Sequence, residues 1–177
     1  LRFVDADGLR PTPDRVRETL FNWLQFEMPG AHCLDAFAGS GALGFEALSR
    51  GAATAVMIER ERLQHQALLA AAAELGADGA RILLGDADSL LAKAGDWRPV
   101  AGFDVVFLDP PYNKGLVQKT VQQLLELGLL RTEALLYIES ELDWEALSLP
   151  VSIQQLKSTR AGSVNAFLAR YRPEVAE

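Results

Sequence analysis

Short apolar runs alternate along the chain with segments of helical periodicity. Five such runs precede residue 145. The first ends near Asp35, and the others span 55–59, 81–86, 103–108 and 134–139. Helical segments follow four of the five. Strands that alternate with helices in this way predict an α/β fold with a mostly parallel sheet. Two alternating stretches at 151–158 and 163–171, separated by 160–163, predict an antiparallel hairpin that closes the sheet.

The first helical segment precedes all of these strands. Thr12 and Pro13 have the residue types of a helix N-cap and a first helical position, and Pro29-Gly30 is a stop signal. Apolar side chains recur at helical spacing between these two signals, at Val16, Leu20, Phe21 and Leu24. The sequence therefore predicts an amphipathic helix from Pro13 to the Pro-Gly pair.

A glycine-spaced turn follows the first strand. Gly39, Gly41 and Gly44 fit the spacing G-x-G-x-x-G, with which many proteins bind a dinucleotide pyrophosphate at a helix N-terminus. Asp35, four residues before Gly39, favours S-adenosylmethionine (SAM), because a carboxylate repels a pyrophosphate and attracts a sulfonium and an ammonium. The spacing alone leaves open a turn that only packs a helix against a strand.

Acidic residues end three successive predicted strands. They are Asp35, Glu59 and Asp86. Because the carboxyl ends of parallel strands share one edge of a sheet, the three acids are expected to line a single crevice. Glu59 suits the vicinal hydroxyls of a ribose and Asp86 suits an adenine amino group, although either acid could instead cap the helix that follows it.

The strand at 103–108 runs directly into Asp109-Pro110-Pro111-Tyr112. Two prolines lack backbone N–H donors and stiffen the loop, which leaves carbonyls to accept hydrogen bonds. We expect the Asp109 carboxylate and the Pro110 carbonyl to bind the two N–H groups of an exocyclic amine. Tyr112 offers an aromatic face on which a flipped base can stack.

Composition limits the class of protein. The hydrophobic fraction of 49% and charged fraction of 23% are ordinary for a globular chain of 177 residues, so we expect one domain, 1–177. No apolar run approaches the roughly 20 residues of a membrane span. His32 and His65 lack metal-ligand spacing, so we expect no metal site. Cys33 is the single cysteine, and together with the absence of a signal-peptide pattern this predicts a cytoplasmic location.

The charge is unevenly distributed. A net charge of −7 argues against indiscriminate nucleic-acid binding. Arg10, Arg15 and Arg17 nevertheless crowd the start of the first helix, and 151–173 contains basic residues and no acid. These groups are candidates for phosphate contacts, with a solvated surface of local ion pairs as the alternative.

Three segments together resemble the RsmD family of class I SAM-dependent methyltransferases. Residues 35–41 resemble motif I, residues 109–112 resemble the amino-methylating motif IV, and Arg10-Pro11-Thr12 with the helix after it is the most family-specific segment. Members methylate the N2 amine of a guanine in 16S ribosomal RNA. The resemblance implies a Rossmann-like, seven-stranded, mostly parallel sheet with an antiparallel last strand and helices on both faces, and a short basic segment before Leu1.

The resemblance also implies roles for individual residues. The methionine part of SAM would be held by Asp35, Phe37, Gly39, Ser40 and Gly41. The ribose would be held by Glu59, and the adenine by Asp86 and Ala87. The guanine would be held by Asp109, Pro110, Pro111 and Tyr112. The candidates for RNA binding are Arg10, Thr12, Arg15 and Arg17, with Tyr112.

The sequence therefore predicts an RNA methyltransferase that acts as a monomer on 16S rRNA in the small ribosomal subunit or its assembly intermediate, with no membrane association. Four alternatives remain open. They are a SAM-dependent methyltransferase of DNA adenine, one of a protein glutamine, a non-catalytic SAM-binding protein and an NAD-dependent oxidoreductase.

Overall fold

The computed structural model describes residues 13–93, 95–111 and 115–173, and these form a seven-stranded sheet with helices on both faces. In chain order the elements are α1 (Asp14–Trp23), β1 (His32–Asp35), α2 (Ala42–Ser49), β2 (Thr54–Glu59), α3 (Arg62–Leu75), β3 (Ala80–Leu84), α4 (Ala87–Ala92), β4 (Phe103–Leu108), α5 (Leu116–Glu126), β5 (Leu130–Ser140), α6 (Trp144–Leu147), β6 (Ile153–Ala161) and β7 (Val164–Tyr171).

The strand order is β3-β2-β1-β4-β5-β7-β6. Strands β1 to β5 pair in parallel, whereas β7 is antiparallel to both of its neighbours, β5 and β6. The predicted α/β class, the hairpin and the antiparallel last strand are thereby confirmed. The carboxyl ends of β1 to β5 lie along one edge of the sheet, which we call the carboxyl edge.

Two hydrophobic clusters cover the two faces of the sheet. Helices α1, α2 and α3 pack on the face that we call the α1 face, and α4, α5 and α6 pack on the opposite, α5 face. Strand side chains alternate between the faces. In β1, Cys33 belongs to the α1 face and Leu34 to the α5 face, so Asp35 at the strand end returns to the α1 face.

The first helix differs from the prediction at both ends. It starts at Asp14 with Pro13 as N-cap, because Pro13 has an extended backbone (ψ 140°), and Thr12 lies outside the described residues. It ends at Trp23 instead of near Pro29. Residues 24–27 form turns, and Met28 after them is fully buried on the α1 face.

Helix α2 approaches β2 closely because Gly44 lacks a side chain. A Cβ at Gly44 would lie 2.6 Å from Cε of Met57 on β2. The third glycine of the turn therefore serves helix-strand packing, while the first two face the carboxyl edge. None of the helices within the described residues is long and apolar enough to cross a membrane.

Candidate active site

The β1–α2 turn has the backbone that its glycines predict. Gly39 and Gly41 have φ of 54° and 81°, values that favour glycine. A Cβ at Gly41 would also lie 2.6 Å from Cδ2 of Leu68 and Cε2 of Phe45. Gly41 is the N-cap of α2, and the Ser40 hydroxyl accepts a hydrogen bond from the Ala42 N–H at 3.3 Å.

Asp35 is the buried acid at the head of this turn. Its side chain is 2% exposed, and neither carboxylate oxygen has a hydrogen-bond partner among the described residues. Burial raises the pKa of Asp35 to about 7. The backbone N–H groups of Phe37 and Gly44 lower that pKa without reaching hydrogen-bond geometry, while the charges of neighbouring carboxylates raise it. A buried carboxylate without a partner is unfavourable, so this site suits a cationic group.

Glu59, at the end of β2, lies beside the turn. One of its oxygens accepts a hydrogen bond from the Gly39 N–H at 3.0 Å and the other accepts one from the Glu61 N–H at 2.8 Å. Burial raises its pKa, and these two hydrogen bonds oppose the rise. The alternative that Glu59 caps the next helix is wrong, because the N-cap of α3 is Glu61. Each carboxylate oxygen keeps a lone pair for a ribose hydroxyl.

Asp86 does cap the helix that follows it. Its Oδ2 accepts hydrogen bonds from the Ser89 N–H at 3.3 Å and the Ser89 hydroxyl at 3.0 Å, and Asp86 is the N-cap of α4. Ala87 is buried beneath it. The capping interpretation left open by the sequence is therefore observed, and binding of an adenine by Asp86 remains a prediction.

Three residues of the predicted amine-binding loop follow β4. Asp109 and Pro111 are half-buried and Pro110 is buried. Tyr112 lies outside the described residues. Since Leu108 pairs with Ile138 in the sheet, Asp109 follows β4 beside the end of β5.

Sequence analysis missed two polar residues on β5, Tyr137 and Glu139. They are 0% and 4% exposed, and their spacing of two places both on the α1 face. Burial raises the pKa of Tyr137, and the charges of Glu139 and Asp109 raise it further, which puts the phenol close to both acids. A tyrosine and a glutamate two residues apart inside an apolar strand were the only available signal.

Gln64 was also missed. This α3 residue is 1% exposed, and its Nε2 donates a hydrogen bond to the Gly39 carbonyl oxygen at 2.7 Å. A glutamine in a helix rich in alanine and leucine, which also contains Gln66, carries no signal of its own in the sequence. Only the fold brings it to the glycine turn.

The basic residues that are candidates for RNA binding differ in their contacts. Arg15 is exposed, and its guanidinium donates to the Arg160 carbonyl at 3.4 Å, across to the β6–β7 hairpin. Arg17 forms a 3.0 Å ion pair with Asp14, as the alternative of local pairs predicted. Arg10, like Thr12, lies outside the described residues.

The β6–β7 turn lies at the carboxyl edge. Asn165, at the start of β7, is paired in the sheet with Ser140 at the end of β5 and with Arg160 on β6. The structure thus brings Arg15 and Arg160 to the same edge as Asp35, Glu59 and Asp109.

Comparison with known proteins gives close relatives over most of the chain. A family model described as conserved hypothetical protein 95 matches residues 1–170. Ribosomal RNA small subunit methyltransferase D of Escherichia coli K12 is 46% identical over 160 residues, which cover 90% of this chain and 78% of the relative. The protein of the same name from Haemophilus influenzae is 39% identical over 166 residues, which cover 93% and 84%.

Solved structures agree with the fold. An Escherichia coli structure described as a methyltransferase has a TM-score of 0.83 at 42% identity and covers 93% of this chain and 89% of that one. An RNA methyltransferase from Salinibacter ruber, solved with S-adenosyl-L-homocysteine, has a TM-score of 0.68 over 95% of this chain and 97% of that one. At 18% identity it shows the fold alone.

These matches confirm the resemblance carried by the glycine turn and the Asp-Pro-Pro-Tyr segment. The chain belongs to the family described as conserved hypothetical protein 95, the RsmD family, together with the ribosomal RNA small subunit methyltransferases D.

Proposed function

We propose that this chain transfers a methyl group from SAM to the exocyclic N2 amine of a guanine in 16S rRNA. The observation that carries the proposal is Asp35, a buried carboxylate without a hydrogen-bond partner among the described residues, at the head of a turn with two left-handed glycines. The names of the relatives, ribosomal RNA small subunit methyltransferases, support the reaction and the class of substrate.

The residues of the carboxyl edge fit SAM in charge and shape. Asp35 offers an acceptor for the cationic methionine end, with Phe37 and Ser40 beside it. Gly39 has no side chain that would keep the ligand from the backbone, and Gly41 lets Leu68 and Phe45 pack against the turn. Glu59 would hold the ribose hydroxyls, and Asp86 and Ala87 would line the place of the adenine.

The loop after β4 would hold the target base. The Asp109 carboxylate and the Pro110 carbonyl are acceptors, and a guanine N2 amine has two N–H donors to match them. Tyr112 would stack on the base. Asp109 is half-buried, and its charge raises the pKa of the buried Tyr137, so we propose that its carboxylate lies near the buried polar pair Tyr137 and Glu139.

Bound SAM supplies an electrophilic methyl group with a neutral thioether as its leaving group. The task of the chain is to align the amine nitrogen with that methyl group, a contribution that can reach about 7 to 11 kcal/mol. Asp109 and the Pro110 carbonyl would also stabilise the positive charge that develops on nitrogen as the new N–C bond forms. The proton leaves the nitrogen afterwards, so no strong base is required beforehand.

Exposed cations at the same edge would bind the RNA backbone. Arg15 and Arg160 are exposed and lie together, and Arg10, Thr12 and Arg17 are the further candidates on or before α1. Since the net charge is −7, we propose that the substrate is the assembled small subunit or its assembly intermediate, which offers more contact surface than naked RNA. We further propose that the chain is one domain and acts as a monomer in the cytoplasm.

The proposal is tested by transfer of labelled methyl from SAM to small ribosomal subunits isolated from cells that lack this protein. Nucleoside analysis of the product should show the label as N2-methylguanosine in 16S rRNA. Label in another nucleoside or in a protein would overturn the proposed target. Binding of SAM without any transfer would favour a non-catalytic SAM-binding protein.

A further inference from the structure

Helix α3 buries few side chains, and those it buries lie against the glycine turn. Of its 14 residues, just Gln64 and Leu68 are buried, each to within 1% of full burial. They are one helical turn apart and therefore lie on the same side of the helix. Leu68 fills the space beside Gly41, where a Cβ would lie 2.6 Å from its Cδ2. Gln64 reaches Gly39.

Side chains from outside the turn hold both backbone groups of Gly39. Its N–H donates to Glu59 Oε1 at 3.0 Å, and its carbonyl accepts from Gln64 Nε2 at 2.7 Å. Glu59 also accepts from the Glu61 N–H at 2.8 Å, immediately before α3. The three hydrogen bonds tie the β1–α2 turn to the end of β2 and the start of α3.

Gly39 needs this support because its φ of 54° is a left-handed conformation and because an unfolded glycine samples many backbone states. A turn that must adopt one shape binds a ligand more weakly if binding has to order it first. Hydrogen bonds made before the ligand arrives remove that cost.

We propose that Gln64 is a positioning residue that fixes the Gly39 peptide and so preorganises the turn for the methionine end of SAM. The inference rests on the proposed use of SAM by this chain. An amide suits the position, since it donates to the carbonyl without adding a charge. A lysine there would place a second cation beside Asp35 and Glu59, where the cationic ligand is to bind.

The test replaces Gln64 with methionine, which keeps the length of the side chain and removes the donor. We expect the dissociation constant of SAM, measured by calorimetry without RNA, to rise about tenfold, in line with the loss of one buried hydrogen bond. In methyl-transfer assays KM for SAM should rise by a similar factor, while kcat and KM for the ribosomal substrate stay within about twofold. Gln64→Glu, which places an acceptor against the Gly39 carbonyl, should weaken SAM binding further.

Gln122→Met is the matched control. Gln122 also donates through Nε2, to Glu126 Oε1 at 2.9 Å, but on the exposed side of α5. This variant should bind SAM as the wild type does. Equal SAM affinity of Gln64→Met and wild type would overturn the inference, as would a loss of thermal stability with no change in SAM affinity. If the wild type binds no SAM, the proposed function itself fails, so the two failures are distinguishable.

Discussion

The two halves of the carboxyl edge are built in different ways. In the cofactor half, formed by the ends of β1 and β2 and the start of α3, buried side chains hold the backbone through hydrogen bonds of 2.7 to 3.0 Å. In the target half, formed by the ends of β4 and β5 and the β6–β7 turn, the cross-element contact of Arg15 is an exposed 3.4 Å hydrogen bond. The cofactor half is fixed before binding, whereas the cations of the target half can rearrange.

The halves differ in charge as well. Both halves hold buried acids, Asp35 and Glu59 in the cofactor half and Glu139 in the target half, but the rim of the target half also carries the exposed Arg15 and Arg160. A small ligand with a cationic sulfonium suits a rigid acidic site, and a large polyanion suits exposed and adjustable cations. Variants that affect one half and spare the other test this contrast.

The largest expected effect is that of Asp109→Ala in the target half. We expect kcat for methyl transfer to fall about 10²- to 10³-fold, because the acceptor that aligns the amine and stabilises its developing charge is removed. The dissociation constant of SAM, measured by calorimetry, should change less than about twofold. Asp109→Asn keeps one acceptor oxygen and should retain more activity than the alanine variant. Turnover of Asp109→Ala at the wild-type rate would refute the assignment.

Asp35→Asn should impair SAM binding by the cofactor half. Removal of the buried charge is expected to weaken SAM binding about 10- to 100-fold, the range of a hydrogen bond to a charged group. Affinity for the ribosomal substrate should not change, since Asp35 does not reach the basic rim. Asp96→Asn removes an equal charge from an exposed ion pair with Arg81 and serves as the control. A Kd for SAM equal to that of Asp96→Asn would contradict the prediction.

The free energy of unfolding should depend on pH through the titration of Asp35. The pKa of Asp35 is about 7 in the folded chain against an ordinary value of 3.8, so the folded state keeps a proton that the unfolded state has lost between these values. The free energy of unfolding from this group therefore falls as pH rises from about 4 to about 7, by at most about 1.4 kcal/mol per pH unit.

Asp35→Asn lacks this titration. Without SAM, the variant should be more stable than wild type above pH 7, by at most about 4 kcal/mol for a pKa that moves from 3.8 to about 7, and the difference should shrink toward pH 4. Urea unfolding at pH 5, 6, 7 and 8 measures it. Parallel stability curves for the two proteins would mean that the Asp35 carboxyl titrates at its ordinary pKa.

The smallest expected effect is that of replacing Arg15 and Arg160 by glutamine together. RNA affinity should fall several-fold at low salt, and the slope of log affinity against log salt should decrease by about 1 to 2, because up to two phosphate contacts are lost. SAM affinity should not change. Arg81→Gln, at an exposed position on β3, provides the matched loss of a cation. An unchanged salt slope in the double variant would remove both arginines from the RNA interface.

Local patterns predicted the strands and the glycine turn because the information is local. An apolar run is recognisable wherever the strand lies in the sheet, and Gly39, Gly41 and Gly44 have conformational or packing requirements that few other residues meet. The hairpin was recognisable from alternation and from the glycine at its turn, Gly162, which has φ of 62°.

The remaining features depend on contacts between distant segments. Gln64 meets Gly39 across 25 residues and Arg15 meets Arg160 across 145, and nothing in either neighbourhood of the sequence indicates these contacts. The predicted end of α1 was also wrong. No glycine or proline stands near Trp23 to mark the end of the helix, and the Pro29-Gly30 stop signal lies farther along the chain. The sequence could not decide whether Asp86 caps a helix or binds an adenine, because an aspartate can serve either purpose.

The position of β7 has a consequence for synthesis on the ribosome. Strand β6 is made before β7, yet β7 lies between β5 and β6 in the finished sheet. A nascent chain that ends near residue 163 therefore exposes the unpaired edge of β5 and has no partner strand for β6. Such an edge can pair with other chains. Completion of the sheet must wait for the last strand, and translational pausing within β7 should leave the nascent chain prone to aggregation and sensitive to proteases.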